Sequence, residues 1–224
     1  MKMKKLYRML TVLVVAFGGL GTAQVATADV SYNVGYVSEY YFRGILQKSS
    51  SASAGIDYEE GGFYIGAWGA DVGDGIEYDI YLGYGIETEA GLSASLGFTT
   101  YQYTGDTFDD EYNEGNLNLG YGIFSLEYSK GTSEGFGEPS DYDFIGVTLG
   151  FDNGLYATAG FWGDESEGEY FEFGYGTTVA EIDLGVALIF ASDELSFEET
   201  SDSTEENPIM NEDTALVLSI GKSF

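Results

Sequence analysis

Apolar residues alternate with small or polar ones from about residue 31 to the last residue, and this period of two marks twelve segments as strands. The cleanest is 76–87, with Ile76, Tyr78, Ile80, Leu82, Tyr84 and Ile86 on one face. Glu77, Asp79, Tyr81, Gly83, Gly85 and Glu87 occupy the other. Segment 181–191 repeats the arrangement, with Leu184, Val186, Leu188 and Phe190 opposite Glu181, Asp183, Gly185 and Ala187. Nine further segments are expected at about 31–43, 51–59, 63–70, 91–103, 113–121, 124–130, 141–151, 155–163 and 169–177. Of these, 63–70 is apolar on both faces and leaves its register open. The twelfth, 214–224, ends on Phe224 and places Lys222, Ile220, Leu218 and Leu216 in register with it.

The connections between these segments narrow the fold class. Every second one is a turn of two or three residues, such as Glu60-Gly61-Gly62, 122–123 or Asp152-Asn153-Gly154. The others, at 44–50, 71–75, 104–112, 131–140, 164–168 and 192–213, are expected to be longer. A soluble sandwich has no reason to sort its loops this way, whereas an outer-membrane barrel pairs short periplasmic turns with longer outer loops. An even strand count also brings both chain ends to one side. The expected fold is all-β: a closed antiparallel transmembrane β-barrel of about twelve strands. Hydrocarbon offers no water to unpaired backbone groups, so such a sheet must close on itself. Its apolar stripes must then face outward and its polar or small stripes inward, the inverse of a soluble barrel. Ile80, Leu96 and Leu184 are therefore expected outside, with Glu77 and Asp183 inside.

Residues 1–28 read as a secretory signal. Lys2, Lys4, Lys5 and Arg8 precede the apolar stretch Met9–Leu20, and Ala26-Thr27-Ala28 offers a small-residue cleavage site. That stretch is shorter than the roughly 20 residues a helical span needs. The barrel is thus expected to occupy 29–224, with an outer-membrane location and membrane lipid as its surroundings. The terminal aromatic Phe224 is the expected signal to the barrel-assembly machinery.

Composition removes several classes of chemistry. The signal holds four of the eight basic residues and none of the 38 acidic ones, leaving four positive and 38 negative charges on 29–224. A net charge of −34 on that segment makes nucleic acid an implausible partner, because phosphate binding needs the opposite sign. The absence of Cys excludes disulfides and thiol chemistry, and the absence of His excludes Ser-His-Asp arrangements. No catalytic residue, cofactor or metal is expected. The acidic groups at Asp106, Asp109, Asp110 and Glu111, at Asp164, Glu165, Glu167 and Glu169, and along 192–213 lack the spacing of a calcium loop. Tyr and Phe number 34 against two Pro, as girdled barrels require, and Trp68 and Trp162 are expected at the girdles.

Four segments carry a family resemblance: Ser38-Glu39-Tyr40-Tyr41-Phe42-Arg43-Gly44-Ile45, Gly55-Ile56-Asp57-Tyr58, Gly62-Phe63-Tyr64-Ile65-Gly66-Ala67-Trp68 and Glu77-Tyr78-Asp79-Ile80-Tyr81-Leu82-Gly83-Tyr84. Together they resemble the TorF-type porin family of bacterial outer-membrane proteins, a domain without assigned function. The resemblance covers about 50 residues and implies a small barrel that passes solutes, with no catalytic residues to carry over.

Within such a barrel, Glu39, Arg43, Asp57, Glu77, Asp79, Glu127, Glu172, Glu181 and Asp183 are the candidate lumen residues. Arg43 is expected beside Glu39, Asp57, Glu77 and Asp79, either as part of a filter or, preferably, as an ion-pair brace for the wall. Carboxylates lining a low-dielectric lumen attract cations. The expected function is diffusion of small solutes with a cation preference. The alternative is a barrel plugged by side chains and loops, with an adhesive or envelope-structural role. Twelve strands fall between the filled eight-stranded and the open 16-stranded lumen, so Tyr81 and Tyr101 are candidates to narrow it.

Overall fold

The computed structural model describes residues 29–105, 111–134, 138–195 and 214–224. The signal segment 1–28, Asp106, Asp109 and Asp110, and most of the acidic 192–213 connection lie outside the described residues.

Twelve strands form one closed antiparallel barrel in which each pairs with its neighbour in sequence. They are β1 (Asp29–Val37), β4 (Ser51–Glu60), β5 (Phe63–Gly73), β6 (Gly75–Glu87), β7 (Leu92–Tyr103) and β8 (Tyr112–Tyr121). The series continues with β9 (Phe124–Ser133), β10 (Ser140–Gly150), β11 (Leu155–Asp164), β12 (Gly168–Val179), β13 (Ile182–Ala191) and β14 (Thr214–Ser223). Two short strands, β2 (Tyr40–Phe42) and β3 (Ile45–Lys48), pair only with each other and stand apart from the wall. The seam joins β1 to β14, with Asn33 opposite Ser223 and Val37 opposite Ser219. Phe224 extends it, its N–H donating to the Tyr32 carbonyl at 2.9 Å. Both strands that meet at the seam begin or end at the same mouth, here called the near mouth.

The two faces of the wall separate as the alternation predicts. Ile80, Leu82, Leu96, Phe98, Leu184 and Leu216 are exposed, Leu96 to 67%. Glu77, Asp79, Glu114 and Glu172, one register step away, are buried. The greasy face therefore points outward, the arrangement a hydrocarbon solvent requires.

The inner face changes character along the axis. Toward the near mouth it carries small polar groups such as Ser31, Asn33, Ser95, Asn118, Thr158 and Ser219, all half-buried. Toward the far mouth it carries Trp68, Ala70, Val72, Phe144, Tyr170 and Ile189, buried in a cluster with Tyr40 and Leu195. An apolar core inside the barrel was not legible as such. It exists because the segment after β1 leaves the wall and folds into the lumen, where it needs a surface to pack on.

Three expectations on the connections need correction. The first strand does not run to residue 43: it ends at Val37, and β2 and β3 form an inserted hairpin. The 71–75 connection is not long, because β5 and β6 continue until Asp74 alone lies between them, turned by Gly73 and Gly75 at φ 95° and 96°. The 164–168 connection shrinks to 165–167. Loops at the far mouth are thus not uniformly longer than turns at the near one.

Inner aromatics lie flat over glycines of adjacent strands. A Cβ at Gly174 would stand 2.2 Å from the Tyr156 ring. The Gly174→Val variant is expected to lose about 1–3 kcal/mol of stability by overpacking, read as a lower urea midpoint for the barrel refolded in detergent.

Candidate functional site

Arg43 sits at the tip of the β2–β3 hairpin with φ 47°, followed by Gly44 at φ 86°. This pair of left-handed residues turns the chain back on itself inside the barrel. Gly44 has no alternative, since a Cβ there would meet the Tyr170 Cβ at 2.7 Å and Leu195 Cδ1 at 2.8 Å. The tip is therefore pressed against β12 on one side while its side chain crosses to β8 and β9.

Among the described residues, the hydrogen-bond partners of the Arg43 guanidinium all belong to the wall. Nη1 donates to Glu114 Oε2 at 2.8 Å, and Nη2 donates to Glu114 Oε1 at 2.9 Å. Nη2 also donates to Glu127 Oε1 at 2.5 Å and to Ser129 Oγ at 2.9 Å. Phe42, Phe144 and Trp162 surround the same group, with ring centroids 4.9, 4.5 and 5.7 Å from its carbon. Trp162 Nε1 donates to the Arg43 carbonyl at 3.0 Å, so one side chain fixes both the backbone and the charge. A bidentate pair with aromatic faces is a geometry that lysine cannot reproduce.

Glu114 is the hub on the wall side. Besides Arg43 it accepts from Tyr101 at 2.7 Å, from Asn116 at 2.7 Å and from Tyr142 at 3.0 Å, and only 1% of the residue is exposed. A buried carboxylate survives only when its lone pairs are satisfied and its charge is opposed. Both conditions hold here.

Four of the other expected lumen residues divide into three groups. Glu77 is buried and accepts a hydrogen bond from Tyr40 on the hairpin, while Glu172 accepts from Tyr156 at 2.5 Å. Asp57 lies lower on the inner face, bonded to Tyr81 and, at 3.4 Å, to Asn33. Asp79 is fully buried at 0% exposure, and neither of its oxygens accepts a hydrogen bond from any described residue. It stands across the ladder from Trp68 and Tyr101.

Several placements correct the sequence reading. Arg43 does not pair with Glu39, Asp57, Glu77 or Asp79; its partners are Glu114 and Glu127, because the hairpin carries it across the lumen. Glu39 is half-buried at the base of that hairpin. Glu181 is not a lumen residue. It lies in the 180–181 turn at φ 65°, exposed, and pairs with Lys222 at 3.3 Å. Asp183 faces inward but sits at the near mouth, accepting from Thr178 at 2.6 Å. Trp68 and Trp162 are interior residues and not girdle residues. Tyr101 and Tyr81 do fill lumen space, the first buried and the second over Gly66. Glu114 escaped notice, although it lies two and four residues before Asn116 and Asn118 and so shares their inward register.

A family model described as "Bacterial protein of unknown function (Gcw_chp)" matches residues 22–224. The chain belongs to this family. No curated protein matches this Gcw_chp member in sequence. Among solved structures it is similar to OccAB2 of Acinetobacter baumannii, at 11% identity and a TM-score of 0.43, covering 90% of this chain and 65% of that one. It is also similar to OprD of Pseudomonas aeruginosa, at 11% identity and a TM-score of 0.41, covering 87% and 66%. OccK2 (OpdF) of the same organism, solved with glucuronate, gives 13% identity and a TM-score of 0.37, covering 79% and 58%. These are outer-membrane porin barrels, and this chain spans about two thirds of their length or less.

The Arg43→Ala variant leaves Glu114 buried without its counter-charge, which costs about 3–5 kcal/mol in comparable sites. The cost is capped by release of the hairpin from its seat. Trypsin is expected to cut at Lys48 several-fold faster in this variant than in the wild type. Combining it with Glu114→Gln and Glu127→Gln is expected to slow the cut again.

Proposed function

We propose that this Gcw_chp member is an outer-membrane porin that passes small solutes by diffusion, preferring cations. The observation that carries the proposal is the inverted wall: Ile80, Leu96 and Leu184 exposed outside, with Glu77, Glu114, Glu127 and Glu172 inside. Among the described residues a single guanidinium opposes these lumen carboxylates. Their field, focused by a low-dielectric wall, concentrates cations and repels anions. Residues 1–28 supply the export signal in this reading, lipid surrounds the band, and the terminal strand with Phe224 addresses the assembly machinery. The resemblance of Ser38–Ile45 and its companion segments to TorF-type porins supports the same assignment.

One observation favours a second reading. The hairpin fills the far half of the lumen, with Tyr40 and Arg43 both buried. A barrel plugged in this way would serve adhesion or envelope structure instead of passage.

Two measurements test these readings, the first their shared membrane assignment and the second the difference between them. A Leu82→Arg variant is expected to lose about 2–4 kcal/mol in lipid, the depth-dependent cost of a basic residue on the hydrocarbon face near the midplane. A loss near zero would remove the membrane assignment. In planar bilayers the wild type or the Arg43→Gln variant is expected to conduct, with a reversal potential in a KCl gradient displaced toward that of K⁺. Silence of both would establish the plugged barrel, and displacement toward Cl⁻ would refute the cation preference.

A further inference from the structure

Arg43 is bound in the manner of a ligand. Its hairpin makes no ladder pairing with the wall, and the wall groups that grip the guanidinium belong to four strands: Glu114 on β8, Glu127 and Ser129 on β9, Phe144 on β10 and Trp162 on β11. All of them stay in the wall if the hairpin withdraws. What remains is a carboxylate with two parallel acceptors, a second carboxylate at an angle to it, a hydroxyl and an aromatic face. That set matches a planar fork of N–H donors and not a point charge.

The seat also carries more negative charge than Arg43 neutralises, because Glu114 and Glu127 both pair with the one guanidinium. An emptied seat would leave Glu114 and Glu127 without their counter-charge. The hairpin therefore has no favourable way to leave unless another cation arrives.

We infer that Glu114, Glu127 and Ser129, backed by Phe144 and Trp162, form a guanidinium receptor in the barrel wall for which Arg43 is the tethered occupant and free guanidinium-bearing solutes are exchangeable ones. As a transport statement this rests on the porin reading and names its solute class; as a binding statement it stands apart. Exchange unseats the hairpin and opens the far half of the lumen, so the solute that fits the seat is also the one that unlocks the path.

The test uses the full barrel refolded in detergent, with agmatine as the probe and putrescine, a diamine of similar length lacking the guanidinium, as the comparator at equal ionic strength. In the Arg43→Gln variant, checked for folding by heat-modifiable migration, agmatine is expected to change Trp162 emission saturably. Putrescine is expected to bind at least about tenfold more weakly, the loss of one or two charge-assisted hydrogen bonds. Wild type is expected to need about tenfold more agmatine, because Arg43 competes. If Arg43→Gln does not fold, the wild type itself carries the test: agmatine is expected to accelerate tryptic cleavage at Arg43, and putrescine is not. Equal effects of the two amines, or no saturable effect of agmatine, overturn the inference. Binding without conductance would sink the porin reading alone, and conductance without agmatine selectivity would sink this inference alone.

Discussion

Closure of the backbone ladder is the constraint from which the rest follows. Once β1 and β14 meet, every wall strand has two partners and no edge remains to recruit another chain. Only then can the side chains that would normally form a core be spent on the outer surface. Leu82, Leu96, Leu184 and Leu216 are exposed because the wall, not a hydrophobic interior, holds the strands in register. The interior is thereby released from packing duty and is free to hold charge.

That freedom has been used unevenly. Near the mouth that holds both chain ends, small polar residues leave the inner face half-buried. Toward the other mouth, an inserted hairpin completes an apolar cluster. The buried Arg43–Glu114 pair marks the boundary between these zones. Such a pair adds little net stability against well-packed apolar residues, but it penalises any misplacement of either partner severely. Its consequence is positional: it specifies where the hairpin tip must rest.

The wall was legible in the sequence because period two is a local property, readable within any strand such as 76–87. Strand count, inversion and closure followed from it. What was not legible depended on where the chain leaves that period. Ser38-Glu39-Tyr40-Tyr41-Phe42 reads as a continuation of β1, and nothing local says that the chain turns inward after Val37. Misplacing that one departure misassigned the partners of Arg43 and the location of both tryptophans. Glu114 was recoverable by extending the inward register of Asn116 and Asn118, whereas its pairing with Arg43, 71 positions away, was not.

The hairpin is anchored at Val37 and Ser51, which face each other on adjacent wall strands. Its tip, Arg43, hangs six residues from Val37 and eight from Ser51, and the shorter arm is a leash of roughly 20 Å at full extension. An ejected guanidinium thus never diffuses away; it hovers over its own vacancy at a local concentration in the millimolar range. Under the exchange proposed above, scarce solutes would lose that contest and abundant ones would win it. A tether of this length would then work as a threshold, making the richness of the medium, rather than mere presence of a compound, the signal.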